Sequence, residues 1–160
     1  MGTVKNNIFV IYMHTFFICL TMICILPYMT HKQKLISIAS YNSNGSSADR
    51  ISYINRIRDK FDILLLQEHW LYNSQISQLE NQLDLQVHGI SSMNECELTS
   101  GRPHGGCAIM WKKDLQYIIS PAQFNTNRMC GVTVNINNVM YLIRCIYMPC
   151  DTIGDHANAK

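Results

Sequence analysis

From Lys34 onward, short runs of branched aliphatic residues alternate with segments whose apolar residues recur at helical spacing. The run LISIASYN, which ends at Asn42, has the composition of a strand and is followed by the turn-prone stretch Asn42 to Ser47. The next segment repeats isoleucine at helical spacing, with Asp49 as the expected N-cap. This alternation predicts a sheet with a helix packed on it.

The continuous apolar run Asp62 to Leu66 is typical of a strand buried on both faces, and it carries Gln67 and Glu68 at its C-terminal end. Ile76, Leu79 and Leu83 indicate a second short helix. A polar, Gly/Pro-punctuated surface loop is expected from Ser91 to His104, and a tight hairpin turn at Asn137 and Asn138. Further strands are predicted at Gln86 to Ile90, Gly106 to Trp111, Met129 to Ile136 and Val139 to Met148, with a weaker one at Leu115 to Ile119.

The segment Ile8 to Met29 is a nearly unbroken apolar run, which accounts for much of the 48% hydrophobic and only 15% charged composition. It is long enough to span the hydrocarbon core of a bilayer as a helix. It also has the length of a signal peptide, although Lys5 alone makes a thin basic region and no cleavage pattern follows. The third interpretation is a fusion scar, that is, upstream sequence joined by chance to the frame that encodes the rest of the chain.

The net charge and the cysteine content exclude few classes of function. A net charge of +2 is too small to mark a nucleic-acid-binding surface by itself. The seven cysteines are odd in number and lack zinc-type spacing, so they are interpreted as reduced. Cys107, Cys130 and Cys145 lie in apolar strand-like runs, where a free cysteine behaves as a small buried hydrophobe.

Four blocks occur in a characteristic order: SYNSNG from Ser40, LLLQEHW from Leu64, GRPHGGCAIMW from Gly101 and IYMP from Ile146. Together they resemble the endonuclease/exonuclease/phosphatase family, and LLLQEHWL followed by GRPxGGCAI most resembles the endonucleases of LINE-type non-LTR retrotransposons. The resemblance covers Leu35 to about Asp151. It implies a four-layer α/β sandwich, in which two mixed sheets pack face to face with helices outside.

The resemblance also divides the chain. We expect residues 34–160 to form about the first half of such a domain. Residues 1–33 are expected to form a hydrophobic N-terminal segment with a helix.

By this resemblance, Glu68 is the ligand of a catalytic Mg²⁺ or Mn²⁺, a chemistry that suits a carboxylate. Asn42 would position the metal or the scissile phosphate, and Tyr147 would lie near that phosphate as a neutral donor. Each residue also has a structural interpretation: an exposed strand-end carboxylate, ordinary turn chemistry, and an aromatic strand residue. Asn44 stands where some relatives carry a metal-site aspartate, so that carboxylate is missing.

Arg102 and His104 flank the GRPHGG turn and are candidate contacts to a DNA backbone, or else solvated loop residues. The family also needs a later Gly-Asp-x-Asn block and a final Ser-Asp-His block for acid/base chemistry, and neither occurs before Lys160. Asp155 and His156 follow IYMP too closely to be that last pair, and they are interpreted as tail.

Three hypotheses follow from these features. The first is a truncated Mg²⁺-dependent enzyme that nicks DNA. The second is an inactive remnant that binds metal or nucleic acid weakly, tethered to a membrane if Ile8 to Met29 inserts. The third is a secreted protein related to deoxyribonuclease I, with oxidised cysteines.

The resemblance favours a nuclear or cytoplasmic location. A half-domain is expected to leave the face meant for a second sheet open, and such an apolar face favours association and marginal stability.

Overall fold

The computed structural model describes residues 24–28, 34–96 and 103–148, with side chains described from Ile36 onward. The helices are α1 (Ala48–Ile57) and α2 (Ser77–Leu83), with short 3₁₀ turns at Arg58–Lys60, Asn73–Gln75 and Lys113–Leu115. The strands are β1 (Cys24–Tyr28), β2 (Lys34–Asn42), β3 (Ile63–Gln67), β4 (Gln86–Ile90), β5 (Cys107–Trp111), β6 (Ile119–Ala122), β7 (Met129–Ile136) and β8 (Val139–Ile146).

The first sheet has the strand order β1-β2-β3-β5-β4. Its centre is β3, all of whose residues are buried, as its unbroken apolar sequence predicts. β2 and β3 are parallel, with Asn42 opposite Gln67, whereas the other neighbours are antiparallel. The C-terminal ends of β2 and β3 therefore emerge side by side at one edge of the sheet.

Helices α1 and α2 cover one face of this sheet. Ile54 of α1 and Leu79 and Leu83 of α2 are buried among apolar side chains of β3 and β5, in a cluster that includes Leu66 and Met110. The helical spacing of these residues predicted both helices. The predicted N-cap is wrong by two residues, because Ser47 is the N-cap of the first helix and Asp49 lies in its first turn.

A second sheet, of order β6-β7-β8, packs against the other face. One cluster joins Ile63, Ile109 and Trp111 of the first sheet to Val132 and Ile143 of the second. The described residues thus form three layers, with helices on one side of two facing sheets. The expectation of an open face on the first sheet is wrong, because β6, β7 and β8 supply enough apolar side chains to cover it.

Asn137 and Asn138 connect β7 to β8 with φ angles of 53° and 61°. Both central residues of a type I′ turn need positive φ, and asparagine tolerates that conformation better than most residues. The hairpin turn predicted at these two positions is confirmed.

Two predictions about secondary structure are wrong. The weaker strand at Leu115 to Ile119 is instead the end of a 3₁₀ turn, and β6 begins only at Ile119. The hydrophobic N-terminal helix is not supported, since Cys24–Tyr28 is a strand paired antiparallel with β2. The rest of that run, up to residue 23, lies outside the described residues. Across the part of the chain that is described, no helix is long and apolar enough to cross a membrane.

Candidate functional site

Asn42 and Glu68 meet at the edge where β2 and β3 end. The Asn42 side-chain amide donates a hydrogen bond from Nδ2 to Glu68 Oε1 over 2.9 Å, and both residues are half-buried. The contact follows from the parallel pairing, which places Asn42 beside Gln67 and hence next to Glu68. The structure thus brings together two of the residues that the sequence predicted for the site.

The backbone at Glu68 is fixed from both sides. Glu68 has a φ of 56°, in the left-handed region, so the chain turns sharply where β3 ends. Its N–H donates to the Gly106 carbonyl over 2.8 Å, and its own carbonyl accepts the Gly45 N–H over 2.7 Å. Ser43 also donates its hydroxyl to the Glu68 carbonyl over 3.1 Å. These bonds hold the carboxylate in one position before any ligand arrives.

Asn42 has a second role within its own loop. Its Oδ1 accepts the backbone N–H of Asn44 over 3.0 Å, which is an Asx turn. The amide group is therefore oriented with oxygen toward the loop and nitrogen toward Glu68. The turn interpretation of Asn42 is thus confirmed, and its role at a metal or phosphate site stays a prediction. Asn44 itself is exposed.

His69 is a supporting residue that sequence analysis missed. It is fully buried, its Nδ1 accepts the Leu71 N–H over 3.0 Å, and its Nε2 lies 3.2 Å from the Ile90 carbonyl. Burial lowers the pKa of His69 below the usual range, so the ring is neutral near pH 7, with its proton on Nε2. Its ring fills the space beside Gly106, where an added Cβ would lie 2.4 Å from the ring. His69 thus positions the Gly106 carbonyl that holds Glu68.

Tyr147 lies at the same end of the molecule, just beyond β8. Its N–H donates to the Arg128 carbonyl over 2.9 Å. Its ring reaches the other sheet, where Cε1 is 3.0 Å from the position that a Cβ on Gly105 would occupy. Gly105 accepts the Trp70 N–H over 3.1 Å, so the phenol approaches the loop that follows Glu68. The predicted Asn42, Glu68 and Tyr147 therefore lie at the same end of the two sheets, linked through the loops of Gly105 and Gly106.

Arg128 is a second residue that sequence analysis missed. The Arg128–Tyr147 bond continues the β7–β8 ladder by one residue pair beyond Met129 and Ile146. Directly opposite residues of an antiparallel pair have their side chains on the same face. The exposed Arg128 side chain therefore leaves the backbone on the same face of the sheet as the Tyr147 ring. Arg128 could have been identified only from the strand register, which cannot be read from the sequence.

Ser92 fastens the loop of Arg128 to the loop of Gly106. Its hydroxyl donates to the Asn127 carbonyl over 3.0 Å and accepts the Gly106 N–H over 3.0 Å. Hydrogen bonds thus join five loop segments that are distant in sequence, namely residues 43–45, 68–70, 92, 105–106 and 127–128. This explains how a partly exposed site keeps a defined shape.

A buried polar contact joins the end of β3 to β8. Gln67 donates from Nε2 to Cys145 Sγ over 3.2 Å and to Ser40 Oγ over 3.1 Å. Cys107, Cys130 and Cys145 are free and buried, which confirms the reduced interpretation for these three. Hydrogen bonding to Cys145 and burial raise the pKa of the Cys107 and Cys130 thiols. These thiols are therefore protonated and act as core residues.

The two loop candidates for DNA contact have different outcomes. His104 is exposed on the loop that precedes Gly105 and Gly106. Arg102 lies outside the described residues. Neither prediction is tested by a contact in the structure.

The carboxylate of Glu68 suits a hard divalent cation. Mg²⁺ is commonly held by one or two carboxylates, with water and substrate phosphate as the other ligands. Within residues 24–28, 34–96 and 103–148, no group of three or more His, Cys, Asp or Glu side chains could hold a metal. The fit is therefore to a cation bound through one carboxylate, with Asn42 beside it.

Comparisons with known proteins agree with this geometry. The profile of the Endonuclease/Exonuclease/phosphatase family matches residues 39–146. The catalytic domain of human Nocturnin with bound sulfate has a similar structure, at 18% identity and a TM-score of 0.51, covering 82% of this chain and 54% of that one.

The endonuclease domain of TRAS1, a telomere-specific non-LTR retrotransposon, matches at 13% identity and a TM-score of 0.45, over 72% of this chain and 45% of its own. The chain thus spans about half the length of these two structures. A search of curated proteins found no match.

Proposed function

Because the chain belongs to the endonuclease/exonuclease/phosphatase family, we propose that it carries the first part of a divalent-metal-dependent phosphodiesterase site that nicks DNA, as in LINE-type retrotransposons. The observation that carries the proposal is the Asn42–Glu68 pair, 2.9 Å apart at the ends of two parallel strands. The LINE-type assignment rests on the residues of two sequence blocks, LLLQEHWL around Glu68 and GRPxGGCAI around Gly106.

In this proposal Glu68 holds Mg²⁺ or Mn²⁺, which when bound supplies Lewis-acid stabilisation of phosphate charge. Asn42 keeps the Glu68 carboxylate oriented through its Nδ2–H, so the geometry of the site does not depend on the metal. Tyr147 has a phenol that can donate to a phosphate oxygen, and such preorganised donors stabilise developing negative charge.

The second candidate is a fragment that binds metal or nucleic acid weakly without turnover. It is favoured by the absence, among the described residues, of a cluster of acidic and imidazole groups around Glu68. Phosphodiester hydrolysis needs a group that activates water. Asn42, Glu68 and Tyr147 do not include an obvious general base.

Plasmid nicking by the full chain with Mg²⁺, measured beside Glu68→Gln and an EDTA control, tests the proposal. Glu68→Gln keeps the size of the side chain and can still accept the Asn42 hydrogen bond, but it removes the charge that binds the cation. We expect the nicking rate to fall by about 100-fold or more, the scale on which metal-site residues act. Asp49→Asn, which changes an exposed carboxylate on α1, is the matched control.

Metal binding is measured separately, from the decrease in the electron paramagnetic resonance signal of free Mn²⁺ when the protein is added. Nicking that survives Glu68→Gln would refute the assignment of the metal ligand. Binding lost in Glu68→Gln, with no nicking by the wild type, would favour the weakly binding fragment.

A further inference from the structure

Trp70 is a large aromatic residue that lies two positions after Glu68 and has no role in the proposed chemistry. Its backbone has a φ of 57°, and its N–H donates to the Gly105 carbonyl over 3.1 Å. Glu68 and Trp70 both have left-handed backbone, which is uncommon outside glycine, on either side of the buried His69. This backbone sets the direction in which the Trp70 side chain leaves the loop.

Gly45 fixes the position of the indole ring. Gly45 has a φ of 108°, and a Cβ built on it would lie 2.8 Å from Cε3 and 3.0 Å from Cζ3 of Trp70. The six-membered part of the indole therefore packs against the Gly45 backbone, in a contact that any larger residue would disturb. Gly45 also donates its N–H to the Glu68 carbonyl over 2.7 Å. The ring is thus tied to the residue that carries the proposed metal ligand.

Trp70 is only partly buried, whereas the second tryptophan of the chain lies in the core. Trp111 is 5% exposed and pairs with Ile63 at the start of β3, and Trp70 follows the other end of that strand. An indole that is fixed by its surroundings and still partly open to solvent presents a large, flat apolar surface to a ligand. Nucleobases stack on aromatic surfaces of this kind.

The loops that meet at Trp70 carry no carboxylate that would repel a nucleic acid. Residues 42–47 and 103–106 contain neither Asp nor Glu. The carboxylate of Glu68 lies close by in the chain, and a divalent cation would neutralise it in the proposed site. A phosphate that reaches Glu68 would therefore have an aromatic surface beside it, without like-charge repulsion from these two loops.

We propose that Trp70 stacks on an unpaired nucleobase next to the phosphate at Glu68 and so determines the class of substrate. A base inside a duplex must first be taken out of its stack, at a cost that is smallest for an unpaired or mismatched base. Because Gly45 and Gly105 hold the tryptophan, it suits a base that is already accessible. The inference rests on the proposed function for the presence of a nucleic acid, and it adds that single-stranded DNA binds better than intact duplex.

Stacking can be separated from phosphate contacts, because only phosphate contacts release counterions and respond strongly to salt. Trp70→Leu keeps an apolar side chain but removes the stacking surface. It should weaken the binding of an oligothymidylate of about eight nucleotides by about tenfold, with an unchanged dependence on salt concentration. Fluorescence anisotropy of the labelled oligomer, in EDTA to prevent hydrolysis, measures both quantities in the full chain.

Two variants serve as controls for this loss. Trp70→Phe retains a smaller aromatic ring and should recover most of the affinity. Tyr117→Leu removes an aromatic ring that is 79% exposed and lies outside these loops, so it should leave the affinity unchanged. An abasic oligomer of the same length keeps the phosphates, and the wild type should bind it about tenfold more weakly than the oligothymidylate.

Tryptophan emission is a readout that a purely structural role of Trp70 would not change. The oligothymidylate should quench the emission of the wild type, and the abasic oligomer should not. Trp111 is buried in the core, so quenching reports on Trp70. Trp70→Phe should bind the oligothymidylate without this quenching.

Equal affinity of the wild type for the oligothymidylate and the abasic oligomer would overturn the inference, as would binding without quenching. Both comparisons use the wild type, so they hold even if a variant fails to fold. With either result, Mg²⁺-dependent nicking that is lost in Glu68→Gln would leave the proposed function standing. Base-dependent quenching without such nicking would support the stacking role of Trp70 and count against the proposed function.

Discussion

Glu68 combines the side chain that the site needs with a backbone conformation that strand residues seldom adopt. A non-glycine residue in the left-handed region costs on the order of 1–2 kcal/mol. Hydrogen bonds to Gly106 and Gly45 offset this cost. The carboxylate is therefore aimed by the loops around it as well as by β3.

His69 should make stability depend on pH. Burial lowers its pKa in the folded protein, and the unfolded value is about 6.5. The unfolded state therefore binds more protons as the pH falls below about 6.5, and the folded state loses stability there. The slope approaches about 1.4 kcal/mol per pH unit for one proton. Urea unfolding at pH 7.5 and 5.5 measures it.

The variant His69→Asn cannot be protonated in this range and should flatten that pH dependence. Burial also lowers the pKa of His88, so a smaller slope in the same direction should persist. His104→Asn, at an exposed position, is the control and should keep the wild-type slope. An unchanged slope in His69→Asn would show that His69 is not the source.

On the proposed nuclease function, the exposed Arg128 beside Tyr147 is placed to contact a phosphate, and Arg128→Ala should weaken DNA binding by an amount that depends on salt. Each phosphate contact contributes about one to the slope of log affinity against log salt concentration, so losing one should reduce that slope by about 1. Fluorescence anisotropy with a labelled duplex at several salt concentrations measures it. Arg50→Ala, on the exposed side of α1, should leave the slope unchanged. Equal effects of the two variants would count against a specific role for Arg128.

At the scale of single residues, the sequence predicted those that belong to a recognisable chemical pattern. It missed those that matter because of where the fold places them. Glu68 and Asn42 follow strand-like runs and lie in motif blocks. His69 has its role because its ring fills the space beside Gly106, and Arg128 because it pairs with Tyr147. These relations join residues from different loops, and no local spacing encodes them.

Among the elements, the β7–β8 hairpin depends on its two turn residues. Asn137→Val places a β-branched side chain at a φ of 53°, which it tolerates poorly. We expect a loss of about 1–2 kcal/mol in the free energy of unfolding, measured by urea denaturation. Asn138→Gly should instead keep or slightly raise stability, because glycine suits a φ of 61°. Destabilisation by both variants alike would argue against the type I′ turn.

Strands and helices were predicted well where the spacing of apolar residues follows either the period of a strand or that of a helix. β4 and β7 have the predicted bounds because turn residues flank each run. The segment around Leu115 was mispredicted because a 3₁₀ turn places Leu115 in the core without strand pairing. β1 was mistaken for part of a helix because a continuous apolar run has no period that distinguishes the two.

For the molecule as a whole, the two-sheet core should dominate stability. Ile109 of β5 is fully buried between the sheets. Ile109→Ala should cost about 2–5 kcal/mol, since it leaves a cavity in a packed core. Tyr117→Ala, at a residue that is 79% exposed, should change stability by less than about 0.5 kcal/mol. Thermal unfolding measures both, and equal effects would mean that the sheets do not pack as described.

The sequence resemblance predicted two facing sheets. The expectation that only half a domain is present, however, led to the wrong prediction of an open sheet face. The number of strands matters less than where their apolar residues point. Cys130, Val132 and Val134 alternate along β7, and all three are buried in the cluster that joins the two sheets.

The sequence separations of two contacts at this end of the molecule also set an order of assembly. The Asn42–Glu68 contact spans 26 residues and lies within one strand–helix–strand unit. The contact of β8 with β3, through Cys145 and Leu66, spans 79 residues. Closing longer loops costs more entropy, and non-local pairing slows folding. During folding, the Asn42–Glu68 contact can therefore form before β8 packs on β3 and brings Tyr147 to the same end of the molecule.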